Sequence, residues 1–381
     1  NVASMTNKAI VEAGADVDAS GLVLSSVMKD VGGDTTHVFV AKATSGASGG
    51  STGIAGSFAI QVVHSTTMPK FGGAGSILTL HGGALDIDGA SVSNHQVMAS
   101  SRGLSKGSSS LGVGASVALD VVFDTTDAGI ADGTQMNGTA VGVSVDVTSK
   151  LLPTTAGSPL VEALAGAASS GTSVGGAIAI AYVESTTNAR IGTGTGNFTM
   201  TGGALSVTAD HDSSILTRAD GDVELGSGGT VGVGIALALN IGFDETDATV
   251  GRAMTTGNNT AASAQVKAKS LLLSVTESKA SVAGQSTEKP GGGDSDKSDE
   301  EVDNNTSFAQ GAGGGTKDTT NGGSTTGDSM FGTGDSNASG QSGTGTKSQA
   351  GGANSGNSSG GTTVAATVSV NYLGGHVAAL V

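Results

Sequence analysis

Residues 111–128 read LGVGASVALDVVFDTTDA, and residues 231–248 repeat them almost unchanged as VGVGIALALNIGFDETDA. Both stretches alternate large apolar side chains with small ones, a period of two that is typical of a β-strand. Val117 and Leu119 share one face, which we expect to be the core face, because burying such a side chain contributes about 1.5–3 kcal/mol. Gly114 lies on the other face, whose small residues predict close approach by another backbone layer or another chain.

The alternating pattern recurs along the chain at a spacing of about 60 residues, which indicates internal repeats. Asp120 marks one copy, and the equivalent positions in the other copies are Gln61, Ala181, Asn240 and Asn371. A second alternating motif follows in four of the copies, as ALDID from Ala84, GVSVDV from Gly142, ALSVTA from Ala204 and AQVKAK from Ala264. Residues 15–20, ADVDAS, resemble the tail of one further copy.

These repeats predict an all-β fold, a repetitive parallel β-helix (β-solenoid) with a period of about 60 residues and one long low-complexity insertion. A rung of such a helix takes on the order of 20 residues, which predicts several rungs in each repeat. The polar endings FDTTDA and FDETDA are expected to be corners, with Asp124 and Asp244 forming turns. The predicted boundaries are 1–284 for the solenoid (the tail of one copy plus four copies), 285–361 for the insertion and 362–381 for the first half of a further repeat.

The composition excludes several classes of partner. The chain of 381 residues has 65 glycines, 3% aromatic residues, no cysteine and a net charge of −16. This acidity argues against a nucleic-acid partner bound through a basic patch. No run of about 18 apolar residues occurs, so the sequence predicts no transmembrane segment.

The iteration of VGVGASVALDVV, TTDAGI, a glycine-rich loop and GGALSVTA resembles the repeat regions of giant secreted bacterial surface proteins, the filamentous-haemagglutinin-like adhesins and leukotoxins. The resemblance covers roughly residues 54–269 and returns at residue 364. It implies an extracellular or cell-surface β-solenoid used for adhesion, surface structure or cell damage, with a host or neighbouring cell as a partner. It implies no catalytic residues.

Chemistry-bearing residues are sparse. One candidate calcium site lies in the acidic part of the insertion, where carboxylates are close in sequence: Asp294, Asp296, Asp299, Glu300 and Glu301. The alternative is a solvated acidic loop, and no other cofactor is predicted. The histidines are scattered, and the acid pairs Asp86 with Asp88 and Asp210 with Asp212 do not recur in every copy. We therefore predict that the chain is not an enzyme, with a carbohydrate-active β-helix enzyme or the repeat region of a secreted toxin as the alternatives.

The two ends of the chain each resemble part of a repeat. Joining the tail of one molecule to the head of the next is expected to complete a repeat and to build a homopolymer. In the alternative, neighbouring repeats of a longer protein supply the missing parts, and both readings predict an extended extracellular fibre. The candidate assembly residues are Val17, Val364, Val368, Val370 and Tyr372.

Overall fold

The strands that the structure describes form three parallel β-sheets. The structure is a computed structural model that describes residues 1–47, 51–102, 110–155, 157–225, 229–256, 263–284, 343–350, 354–355 and 362–381. Every pairing between two named strands in this described part is parallel, as a β-solenoid requires. The all-β prediction is therefore confirmed.

Sheet A contains the long alternating strands in the order β1-β5-β8-β12-β15-β19. Their bounds are β1 (Val2–Val11), β5 (Thr52–Phe71), β8 (Leu111–Ile130), β12 (Thr172–Ile191), β15 (Val231–Val250) and β19 (Thr362–Leu380). Sheet B is short, and its order is β13-β9-β6-β2. Its strands are β2 (Asp16–Ala19), β6 (Ile77–His81), β9 (Gln135–Ala140) and β13 (Phe198–Met200).

Sheet C is formed by the second alternating motif of each repeat, whose strands are again aligned in parallel. Its strands are β3 (Leu22–Ser26), β4 (His37–Gly46), β7 (Leu85–Arg102), β10 (Val143–Pro153), β11 (Val161–Ser169), β14 (Ala204–Leu225), β16 (Ser263–Gly284), β17 (Gly343–Ala350) and β18 (Asn354–Ser355). Two consecutive strands, β10 and β11, lie end to end along the continuous β14. Strands β17 and β18, which fall within the predicted insertion, pair with β16.

One repeat of about 60 residues forms a single coil, not several rungs. The chain runs along sheet A, turns at a glycine such as Gly133 (φ 77°), crosses sheet B and returns along sheet C. Gln61 and Asp120 are 59 residues apart and lie side by side in sheet A. The expectation of about 20 residues per rung was wrong because one strand of sheet A alone, such as β8, has 20 residues.

The interior narrows along the strands of sheet A. Where sheet B separates sheets A and C, the core contains large side chains such as Phe71, Ile130 and Met136. Towards the beginning of the sheet A strands the core is lined mainly by alanine and glycine. There, a Cβ atom added to Gly114 would lie only 2.2 Å from the carbonyl oxygen of Gly166 in β11.

This narrowing reverses the expected orientation of the alternating strands. Gly114 and Ala118 face inward, whereas Val117 and Leu119 face outward. The gap between sheets A and C has no room for branched side chains, so only small residues fit inside. The small face does meet another backbone layer, as predicted, and that layer is sheet C of the same chain.

The expected corners also lie elsewhere. Asp124 and Asp244 lie within β8 and β15, and both are buried instead of forming turns. The strands continue past them to Ile130 and Val250. Polar residues interrupt the hydrophobic pattern at these positions because they meet hydroxyl groups inside the coil.

Candidate interaction surface on sheet A

The outward face of sheet A carries rows of large apolar side chains at matched positions. We call this surface the apolar block. Its four rows are Ile54, Val113, Val174, Val233 and Val364; Phe58, Val117, Ile178, Leu237 and Val368; Ile60, Leu119, Ile180, Leu239 and Val370; and Val62, Val121, Tyr182, Ile241 and Tyr372. Side chains at its margins are well exposed, with Phe58 at 62% and Tyr372 at 57%.

The apolar block is large. Its rows extend about 26 Å along the strands, and its five strands extend about 19 Å across the sheet. With the outermost side chains included, the footprint is roughly 500–800 Å². The largest apolar patch on a typical monomer is about 300–600 Å², and larger patches mark interaction sites.

Charge is confined to the other half of this face. The four rows contain no Asp, Glu, Lys or Arg, although the chain has a net charge of −16. Further along the strands the outward positions become polar, with Thr125 and Thr186 side by side. Lys70 and Asp127 form an ion pair there, with Nζ 2.6 Å from Oδ2. The apolar block can therefore contact a partner without burying charge.

An aromatic ladder marks the border between the apolar and polar halves. His64 stacks on Phe123 with ring centroids 4.7 Å apart, and the series continues through Tyr182, Phe243 and Tyr372. The ring centroids of the later pairs are 5.7, 6.1 and 5.7 Å apart. Each ring comes from a different strand, so the ring contacts of the ladder connect five successive coils.

A polar layer lies inside the coils, between sheets A and C. His95 Nδ1 is 3.3 Å from Asp120 Oδ2, and Gln61 Nε2 donates to Asp120 Oδ1 at 3.3 Å. In later coils His211 Nε2 is 3.5 Å from Asp244 Oδ1. All five side chains are buried, so these contacts lie in the interior of the fold.

The sequence did not predict these histidine–aspartate contacts. Strand alternation alone would have placed His211 inside, because it shares a face of β14 with Val207 and Ala209. Its aspartate partner comes from β15 in another sheet, which the local pattern does not reveal. Asp124 likewise accepts hydrogen bonds from Ser91 at 3.1 Å and from Ser149 at 2.6 Å.

The outward face of sheet C carries acidic groups. Asp88 is adjacent to Asp146 and near Asp86, and burial followed by these two carboxylates raises the pKa of Asp88. Asp210 and Asp212 share one side of β14, as expected, and each forms an ion pair with a lysine: Lys269 Nζ is 3.1 Å from Asp210 Oδ2, and Lys150 Nζ is 3.0 Å from Asp212 Oδ2.

Asp220 is the most perturbed acid on this face. It is 9% exposed, and burial together with the nearby Asp222 carboxylate raises its pKa to about 7. The positive charges of Lys279 and Arg218 lower the pKa of Asp220, but by less than burial raises it. A carboxyl group with such a pKa titrates near neutrality.

The predicted site residues fall in three places. The candidate calcium ligands, residues 294–301, lie outside the described residues, and within the described part no group of three or more metal-ligating side chains converges. Val364, Val368, Val370 and Tyr372 come together on the outward face of β19. Val17 lies apart from them in β2, where it pairs with Leu78 and packs against the wide end of the core.

The comparisons with known proteins give no relative. No family model, no curated protein and no solved structure matches the chain. Among the residues that the structure describes, no helix is long and apolar enough to cross a membrane.

Proposed function

We propose that the chain is a structural fibre or adhesin subunit of the extracellular or cell-surface space, built by stacking β-solenoid coils. The observation that carries this proposal is the unchanged register of sheet A from β5 to β19, which keeps the apolar block in continuous rows. Each coil adds one strand to sheet A and extends the same outward surface.

The dimensions of the coil support a structural role. A sheet A strand of 20 residues is about 66 Å long, whereas each further coil raises the stack by only about 4.8 Å. The six strands of sheet A therefore form a slab only about 24 Å high. A long fibre needs many more coils, from the same chain or from others, and the constant register allows each to stack on the last.

The interior chemistry also fits a structural element. Polar side chains inside the coils bond to one another, as with Gln61, Asp120 and His95, and do not open onto a groove. Such a polar layer favours one register of the stack, because a slipped strand would leave buried polar groups without partners.

Electron microscopy combined with fibre diffraction tests the proposal. We expect the purified chain, across a dilution series, to form ribbons about 66 Å wide with a reflection near 4.8 Å along the stacking axis. Loss of the ribbons on addition of a calcium chelator would support the candidate site at residues 294–301. Isolated slabs that bind no cell surface, together with release of reducing sugar from an acidic polysaccharide, would replace the proposal with the enzyme alternative.

A further inference from the structure

The apolar block lacks a partner among the described residues, and we propose that it is covered by the same block of a second copy of this chain, face to face. This inference deepens the structural role proposed above and rests on it. It names the partner of the outward face of sheet A. The argument uses area, charge and surface periodicity.

The area of the block suits such a pairing. A stable interface buries about 800 Å² per partner, and the footprint of the block, roughly 500–800 Å², approaches that size. Half-exposed Val, Ile and Leu side chains dominate it, with Tyr182 and Phe58 at its edges. These are the residue types that form the inner faces of packed β-sheets.

Charge favours this face over the others. Two chains of net charge −16 repel each other in most orientations. The four rows of the block are uncharged, so contact through them leaves the acidic groups of sheet C, such as Asp88 and Asp220, on the far side. Carboxylates nearest the block, such as Glu184, lie beyond its edge.

The periodicity of the block matches that of its own copy. The rows through Phe58, Ile60 and Val62 recur about every 6.6 Å along the strands, and the row through Ile54 lies about 13 Å from that of Phe58, across a row that includes Gly176. Strands recur about every 4.8 Å, so the ridges of one copy fit the grooves of the other. A two-fold axis that lies in the interface and runs across the strands brings central residues next to their own copies and leaves both polar halves outside the contact. Ile178, in the middle strand of the block, lies closest to this axis.

The insertion is a poorer occupant. Residues 285–342 consist mainly of Gly, Ser, Thr, Asn and Asp, with few large apolar side chains to set against the block. Because the block is apolar across all five of its strands, a polar segment would lose hydration there without gaining apolar contacts.

Sedimentation equilibrium of the full chain tests the pairing. At concentrations below those at which ribbons form, we expect the mass to rise with concentration from 36.3 kDa to twice that value. Ile178→Arg should weaken the association at least about 100-fold, since two-fold symmetry places two unpaired arginines in the interface. Thr186→Arg, on the same face of β12 but in the polar half, is the matched control and should change it less than about threefold.

A second measurement uses the absence of cysteine from the chain. Under mild oxidation Ile178→Cys should form a covalent dimer, because Ile178 lies next to its own copy at the axis. Thr186→Cys should not, because Thr186 lies further along β12 and too far from its own copy for a disulfide. Far-ultraviolet circular dichroism verifies that all four variants keep their β-sheet content.

Three results would overturn the pairing: a monomer at every concentration, an association indifferent to Ile178→Arg, or equal weakening by the two arginine variants. Binding of a monomer to phosphatidylcholine vesicles, abolished by Ile178→Arg, would assign the block to a lipid surface and also overturn it. Ribbons that stay one slab thick would support the structural role and contradict the pairing. Dimers that never form ribbons would support the pairing and contradict the structural role.

Discussion

Replacing Gly114 with alanine places a methyl group between sheets A and C. The added Cβ would lie 2.2 Å from the carbonyl oxygen and 2.8 Å from the carbonyl carbon of Gly166. Both atoms belong to the backbone of β11, so they cannot move aside as the end of a flexible side chain could. Overpacking of this kind costs about 1–3 kcal/mol, and the higher strand preference of alanine offsets only about 0.5–1 kcal/mol. We expect a net loss of about 1 kcal/mol in the free energy of unfolding.

Gly176→Ala is the matched control. Gly176 lies on the outward face of the neighbouring strand, and a Cβ atom there meets nothing within 4 Å. Alanine already occupies the same row at Ala115 and Ala366. This variant should be stabilised by about 0.5–1 kcal/mol, because glycine costs more entropy in a strand.

Urea unfolding monitored by circular dichroism measures both variants, with the midpoint and slope giving the free energy. A destabilised Gly114→Ala beside an unimpaired Gly176→Ala would confirm that the small face is inside. Equal stabilities, or a greater loss for Gly176→Ala, would refute this orientation of the strands and with it the outward position of the apolar block.

Three further predictions concern the interior and the acidic face. Phe71→Ala should cost about 3–5 kcal/mol in urea unfolding, because Phe71 fills the wide end of the core. Asp124→Ala should cost about 1–3 kcal/mol by leaving the buried hydroxyls of Ser91 and Ser149 without their acceptor. Folding raises the pKa of Asp220 to about 7, so the folded state holds this proton more tightly and stability should fall as pH rises from about 4 to 7. Between pH 5 and 8, Asp220→Asn should remove up to roughly 3 kcal/mol of that fall in urea unfolding.

Each of these has a contrary result. A loss below about 1 kcal/mol for Phe71→Ala would mean that the wide end is not packed. If Asp124→Ala were neutral, the buried serine contacts would not stabilise the coil. An identical pH dependence in the wild type and Asp220→Asn would show that Asp220 titrates normally in the folded chain.

The sequence alone determined that the chain is built from strands and that they repeat. A period of two in residues 111–128, recurring at about 60 residues, was sufficient to predict parallel strands stacked in register. The same alternation predicted that Asp210 and Asp212 share one side of a strand, as they do in β14. These features are local, because they depend only on which residues follow one another along a strand.

Only the tertiary structure decided which face is inside. Alternation shows that two faces differ, and hydrophobicity alone assigns Val117 and Leu119 to the core. The distance between sheets A and C decides otherwise, since Gly114 approaches the backbone of Gly166 too closely for any side chain. That distance is large where sheet B lies between sheets A and C and small where the two sheets converge. The alternation of residues along a single strand does not show where this happens. The apolar block and the buried contact between His95 and Asp120 both follow from it.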